Sequence, residues 1–189
     1  MILSDEQRAA IEHHFQLLLK WNAQMNLTAI REPEEIRERH FEESLDLARC
    51  VPPNIKTILD VGSGGGFPGL PLAIALPHVH VTLLDSHTRK CVFLREASRQ
   101  LKNVKVLNQR LESTTGQFDL ITARGVAWDH MFKWLPKLSN RLLLLSTDEE
   151  WANIQKNKSW LWQEPIQMTS GDLRKILQAT RPQDLVVEK

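Results

Sequence analysis

A short apolar run, T-I-L-D-V at 57–61, empties directly into a turn crowded with glycine, G-S-G-G-G-F-P-G, before a second apolar segment opens at Leu70. Glycine removes the side chain where a backbone must turn tightly or approach something closely, and Pro68 suits the first turn of a helix. The stretch reads as buried strand, tight turn and helix. Four further runs resemble the first: V-H-V-T-L-L-D at 79–85, V-K-V-L at 104–107, F-D-L-I-T-A at 118–123 and R-L-L-L-L-S at 141–146. Helix-length segments at 69–76, 87–101 and 127–138 separate them. Apolar strands alternating with helices predict an α/β, Rossmann-like fold, a mostly parallel central sheet flanked by helices. Towards the C-terminus, W-L-W-Q-E-P-I-Q-M and D-L-V-V-E are expected as closing strands.

Residues 1–50 have a different texture. Ile11, Phe15, Leu18 and Leu19 fall on one helical face, with Ser4 as cap and Asp5-Glu6 in the first turn. W-N-A-Q-M-N-L-T-A-I follows without a clear assignment. Pro33, with Glu34 and Glu35 near the positive dipole end, opens a second helix expected to run to about Arg49 and stop before V-P-P-N. The division expected is a helical extension over 1–50 and an α/β domain over 51–189.

Composition narrows the class. A hydrophobic share of 42% and a charged share of 25% exclude wholesale disorder. No apolar run approaches the ~20 residues that span a bilayer, and M-I-L-S-D-E-Q has neither part of a secretory signal. Cys50 and Cys91 are too few for a disulfide framework or a zinc site. A cytoplasmic protein is expected, with no membrane and no obligate protein partner. The net charge of +1 hides an uneven distribution. Between 86 and 110 stand Arg89, Lys90, Arg95, Arg99, Lys102, Lys105 and Arg110 against Glu96 alone. Such a stripe attracts phosphate, although many charge runs are simply solvated helix faces.

The glycine turn can be tested against three ligands. A phosphate-binding P-loop needs Lys and Ser/Thr after its last glycine, where Leu70 stands. The dinucleotide fingerprint needs glycine where Phe67 stands, a ring that obstructs a pyrophosphate. A nucleoside cofactor without phosphates remains. The turn resembles the D-x-G-x-G-x-G motif of class I S-adenosylmethionine-dependent methyltransferases, with Gly62, Gly64 and Gly66 in the glycine places. That resemblance implies that the turn packs on the amino-acid end of S-adenosylmethionine. Asp85, 19 residues after Gly66 and ending a strand, stands where an acid receives the ribose hydroxyls. Leu111 and Glu112 follow the third strand, where class I enzymes commonly contact adenine. Arg124 ends the fourth, at the sheet edge where open α/β folds bind ligands.

The methyl acceptor is narrowed by what the chain lacks. No acid or Asn precedes Pro-Pro-aromatic after the fourth strand, as amine methylation of nucleic acids requires; the segment reads T-A-R-G-V-A. Neither cysteine lies there to activate a pyrimidine ring, and the seven histidines form no apparent metal-ligand cluster, so no metal is expected. A ring nitrogen such as guanine N7 offers its lone pair without a base and needs only placement, which can be worth ~7–11 kcal/mol.

W-N-A-Q-M-N-L-T-A-I-R-E-P-E-E-I-R-E-R-H-F-E-E-S-L at 21–45, the glycine turn, L-L-D-S-H-T-R-K-C-V-F-L and T-A-R-G-V-A together closely resemble the RsmG (GidB) family of bacterial 16S rRNA guanine-N7 methyltransferases. The segment A-R-G-V-A departs from the S-R-A common in that family, and the C-terminal third matches poorly. The resemblance implies cofactor contacts at Gly62, Phe67, Leu111, Glu112 and Arg124. It also implies an acceptor guanosine in the 530 loop (position 527) of 16S rRNA, presented by the RNA or the small ribosomal subunit. In the extension, Arg37, His40 and Ser44 share a helical face bordered by Ile36 and Leu47, and Asn26, Arg39 and His40 are expected to frame the acceptor side. Two rival readings stay open: a small-molecule methyltransferase, and a non-catalytic RNA-binding module stabilised by the cofactor.

Overall fold

Ser4 Oγ accepts a hydrogen bond from the Gln7 amide, and Ser4 N donates in return to Gln7 Oε1, a capping box that starts α1 (Asp5–Asn22). In the computed structural model, which describes residues 2–170 and 174–182, α1 lays Phe15 and Leu18 into the core. Asn22 then organises the stretch that periodicity could not assign, its Oδ1 accepting from Leu27 N and Thr28 N at 3.0 Å each. Pro33 opens α2 (Pro33–Ile36), and the helix continues through a π-type stretch, Arg37–Glu42, into α3 (Glu43–Arg49). In the π-type stretch the ladder widens, and the Glu43 amide reaches back to Glu38 O. The expected face of Arg37, His40 and Ser44 therefore divides. His40 and Ser44 are buried, whereas Arg37 pairs with Glu12 at 2.8 Å and lies over the Phe15 ring. Ile36 and Leu47 are fully buried, as a packed helix requires.

Five strands stand almost where the apolar runs placed them: β1 (Thr57–Val61), β2 (His80–Asp85), β3 (Val104–Asn108), β4 (Leu120–Arg124) and β5 (Arg141–Ser146). They pair in parallel in the order β3-β2-β1-β4-β5, the order of connection reversing between β1 and β4. The intervening helices are α4 (Gly69–Ala75), α5 (Thr88–Ala97) and α6 (Trp128–Met131), with α7 (Asp148–Ile154) after β5. Pleat alternation splits the core in two. Ile58, Leu83 and Leu143 join α1, α3, α4 and α5 in one apolar cluster that runs across residue 50. Leu59, Leu84, Ile121 and Leu144 join Trp128, Phe132 and Trp160 in the other.

Three expectations need correction. The helix expected over 127–138 breaks after α6 and resumes as a 3-10 turn at Leu135–Lys137, because Pro136 cannot donate to the ladder and crowds the preceding turn. The helix expected over 87–101 ends at Ala97. The closing strand expected within 160–168 shrinks to β6 (Leu161–Trp162) and β7 (Ile166–Gln167), while a strand the sequence did not announce, β8 (Lys175–Thr180), runs antiparallel beside β5 and receives both. D-L-V-V-E lies outside the described residues. Among those residues, no helix is long and apolar enough to cross a membrane.

Asp46 ties α3 to the chain after β7. Its carboxylate accepts from Thr169 N and Thr169 Oγ1 at 2.7 Å and from Ser170 N at 2.9 Å, and Arg49 bridges to it. Burial works to raise its pKa, but the bonds from Thr169 and Ser170 outweigh it and hold the carboxyl below its usual range. Asp46→Ala should cost about 3 kcal/mol in urea unfolding at pH 7, since bonds to a charged acceptor are worth roughly 1.5–3 kcal/mol each and are only partly replaced by water. With the folded pKa depressed, this contribution is present above the unfolded value near 4 and disappears as pH falls through the lower folded one. The gap between wild type and variant should therefore close in acid.

Candidate functional site

The strand order reverses between β1 and β4, and a crevice of about 440 Å³ lies past the carboxyl ends of the strands there. Its walls come from the strand ends and the residues just past them: Val61 and Gly62 at the end of β1, Asp85 to His87 at the end of β2, Gln109 to Glu112 after β3, and Gly125 to Ala127 after β4, with His130 and Met131 from α6. The turn after β1 exists because of two glycines with different duties. Gly62 has φ +73°, and a Cβ there would come within 2.8 Å of Val126 Cγ1. Gly69 starts α4 against β1, where a Cβ would stand 2.5 Å from Asp60 Oδ2 and 2.3 Å from Leu83 Cδ2.

Asp85 is the polar centre of the crevice. It is 5% exposed, and its oxygens accept from Gly64 N at 3.0 Å, His87 N at 2.8 Å and His87 Nδ1 at 3.2 Å. A carboxylate has room for about four such bonds, and the His87 ring is largely exposed and free to swing away. Asp60, wholly buried beneath the turn, accepts from Gly69 N at 3.2 Å, while its Oδ1 has no partner. Burial, reinforced by the nearby Asp85 charge, raises its carboxyl to about 7 against the weaker pull of Ser63 and Gly69.

Of the sequence candidates, Gly62, Asp85, Leu111 and Glu112 line this crevice together. Gly64 touches it through Asp85, while Gly66 and Phe67 lie outside its lining. Arg124 is also turned away. The pleat puts it on the face shared with Leu120 rather than with Ile121 and Ala123, and that face is covered by the N-terminal helices. There its Nη2 meets Glu43 Oε2 at 3.0 Å, both side chains under 10% exposed, and its Nη1 donates to Arg39 O. The carboxylate awaiting this cation is thus part of the chain. Burial raises the Glu43 carboxyl against the opposing pull of Arg124, Arg174 and Arg39, and lowers Arg124 to about 10. His40 is buried with Nε2 2.7 Å from Thr28 Oγ1, Arg39 pairs with Glu35 at 2.6 Å, and exposed Asn26 accepts from Arg31 at 2.8 Å. None of these three lines the crevice. His87, Gln109, Val126, His130 and Met131 were not singled out from the sequence, and Lys90 and Arg110, which also line the crevice, were named there only as part of the basic stripe. The rule that ligands gather past the carboxyl ends of strands would have pointed to most of them. Glu43 had no such signal.

A family model described as GidB, rRNA small subunit methyltransferase G, matches residues 7–170. The ribosomal RNA small subunit methyltransferase G of Gluconobacter oxydans is 44% identical over 135 residues, covering 70% of this chain and 69% of its own. Its counterpart from Bacillus subtilis is 41% identical over 135 residues, 66% of this chain; the match spans only 56% of that relative's length. Among solved structures, the mitomycin 7-O-methyltransferase MmcR superposes with a TM-score of 0.68 at 14% identity, covering 94% of this chain and 66% of its own. A SAM-dependent methyltransferase from Aquifex aeolicus gives 0.62 at 17%, covering 78% and 93%. At those identities the likeness is one of fold, and the fold is the Rossmann-like class I methyltransferase architecture: the mostly parallel sheet that the strand pattern predicted, of the class that the glycine turn resembles.

The buried Asp60 yields a pH test. Its folded pKa is raised, so stability is highest below the unfolded value of 3.8 and is lost as pH climbs towards about 7. Asp60→Asn keeps an acceptor for Gly69 N and has no proton to lose. The melting temperature of the variant relative to wild type should therefore rise between about pH 4 and 7 and level off above that, and a pH-independent difference would contradict the assignment.

Proposed function

This chain belongs to the GidB family of rRNA small subunit methyltransferases, and from that premise we propose that it moves a methyl group from S-adenosylmethionine to N7 of a guanosine in the 530 loop of 16S rRNA. The observation that carries the reading is the crevice itself, where a bare glycine turn after β1 and a buried carboxylate at the end of neighbouring β2 meet beside the point where strand order reverses.

The residues fit a phosphate-free nucleoside. Asp85 retains acceptor capacity for ribose hydroxyls once His87 swings aside. Leu111, Val126 and Met131 supply apolar surface for a purine. Gly62 leaves open the space that a Cβ would fill, and the backbone of Gly64, Gly66 and Phe67 shapes the turn for the amino-acid end. When bound, S-adenosylmethionine supplies a sulfonium methyl that a guanine N7 lone pair can accept without loss of a proton. What the chain must add is alignment and exclusion of water. Residues 51–189 hold these parts in our reading, and residues 1–50 buttress them, with Asn26 and Arg39 kept as candidates for the acceptor side and the buried Arg124–Glu43 pair holding the helices against β4.

The basic stripe lies where an RNA backbone could run. Arg89, Arg95, Arg99, Lys102, Lys105 and Arg110 are exposed along α5, the following turn and the edge strand β3. On this reading the protein works in the cytoplasm on 16S rRNA or the small subunit.

The decisive experiment gives labelled cofactor to small subunits lacking the modification and maps the labelled nucleoside. Label in 7-methylguanosine supports the proposal, whereas label in an adenine or a pyrimidine overturns it. Asp85→Ala should raise KM for S-adenosylmethionine about 100-fold, the loss expected for two hydroxyl bonds to a charged acceptor. Replacing Arg95, Arg99 and Lys102 by Glu should weaken RNA binding and flatten its log–log salt dependence by about 2–3, since each phosphate neutralised contributes ~0.7–0.9. Undiminished methylation of subunits by that triple variant at moderate salt would count against the surface.

A further inference from the structure

Phe67 ends the glycine turn, and its ring is clamped from both sides by the N-terminal helices. The His14 ring lies 4.9 Å from it at 23°, and the His40 ring 4.7 Å from it at 18°, while Phe41 meets it edge-on at 4.9 Å. His14 has a second hold. Its Nε2 sits 2.8 Å from the carbonyl oxygen of Gly65, which can only accept, so this nitrogen carries the proton. Gly66 is bare against the same ring, for a Cβ there would come within 3.1 Å of His14 Cε1. His14 is 1% exposed and does not line the crevice, but the turn it holds begins at Gly62 and donates from Gly64 to Asp85, which both do.

We propose that His14, acting through the Gly65 carbonyl and the Phe67 ring, is a positioning residue for the cofactor, holding the turn over 63–67 in the shape that presents Gly62 and Asp85 to the ligand. The proposal rests on the reading of the crevice as the S-adenosylmethionine site. A turn with four glycines between 62 and 66 has many backbone conformations open to it. Apparent affinity falls in proportion to the fraction of molecules in the binding-competent one. A grip on both backbone and ring keeps that fraction high before the ligand arrives. The clamp also crosses from the extension to the sheet, so the N-terminal helices are part of the cofactor site without touching its lining.

Isothermal titration with S-adenosylhomocysteine, alongside steady-state kinetics on small subunits, tests this. His14→Phe keeps a ring in the stack and loses the bond to Gly65. Phe67→Leu keeps apolar bulk and loses the stack. Each should raise the Kd and the KM for cofactor about tenfold, with kcat at saturating cofactor and KM for the RNA within twofold of wild type. His14→Gln, which regains a donor, should bind more tightly than His14→Phe. A folded His14→Phe protein whose cofactor Kd stays within twofold of wild type overturns the proposal, as does a loss shared equally by kcat and KM for the RNA. Should both variants fail to fold, hydrogen exchange on the wild type decides. Saturating S-adenosylhomocysteine should slow the amides of α1 around His14, and unchanged exchange there overturns the clamp. Wild-type protein that takes up no S-adenosylhomocysteine would instead remove the crevice reading, a result visible before any variant is made.

Discussion

The buried carboxyl of Asp60 sits where strand, turn and helix meet. It receives the Gly69 amide at the start of α4, and no side chain fits between them. This contact sets the direction in which the chain leaves β1, and hence where the turn lies relative to Asp85 on the neighbouring strand. The sheet supplies the rest. Parallel pairing puts the carboxyl ends of five strands along one edge, and the reversal of order opens them just where the glycine turn emerges. Stability and the shape of the crevice therefore draw on the same few atoms.

Much of this was legible in the sequence, for identifiable reasons. Strands of a covered parallel sheet are predominantly apolar, so β1 and β5 stood at their observed bounds and the others within two residues. The glycine turn was legible because positive φ and close neighbours leave a mark in residue type, and Asp85 because it ends the strand beside that turn. The strand β8 left none: K-I-L-Q-A-T is short and mixed, and it becomes a strand through its pairing with β5. Glu43 and His14 were hidden for a related reason. Each acts on a residue at least 50 positions away, and a lone Glu or His on a helix does not reveal its distant partner. Arg124 shows the limit most clearly. Its place at the sheet edge was right, but pleat parity sent the side chain to the far face.

The N-terminal helices are more than a cover for apolar surface. Leu18, Ile36, Phe41 and Leu47 share one cluster with Ile58, Leu70 and Phe93, and within it lies a polar seam of Thr28, His40, Glu43 and Arg124. Buried charge of this kind is costly to isolate and contributes little net stability when paired. Its effect is geometric, since it fixes how the helices sit against the fourth strand.

The π-type stretch at Arg37–Glu42 determines the phase of everything that follows it. Removing one residue there would let the helix tighten to its ordinary pitch and rotate its downstream half by roughly 100°. His40 would then leave Phe67 at the same moment that Glu43 left Arg124. A single-codon deletion in that stretch would cut two unrelated contacts at once, so this helix should tolerate changes of letter far better than changes of length.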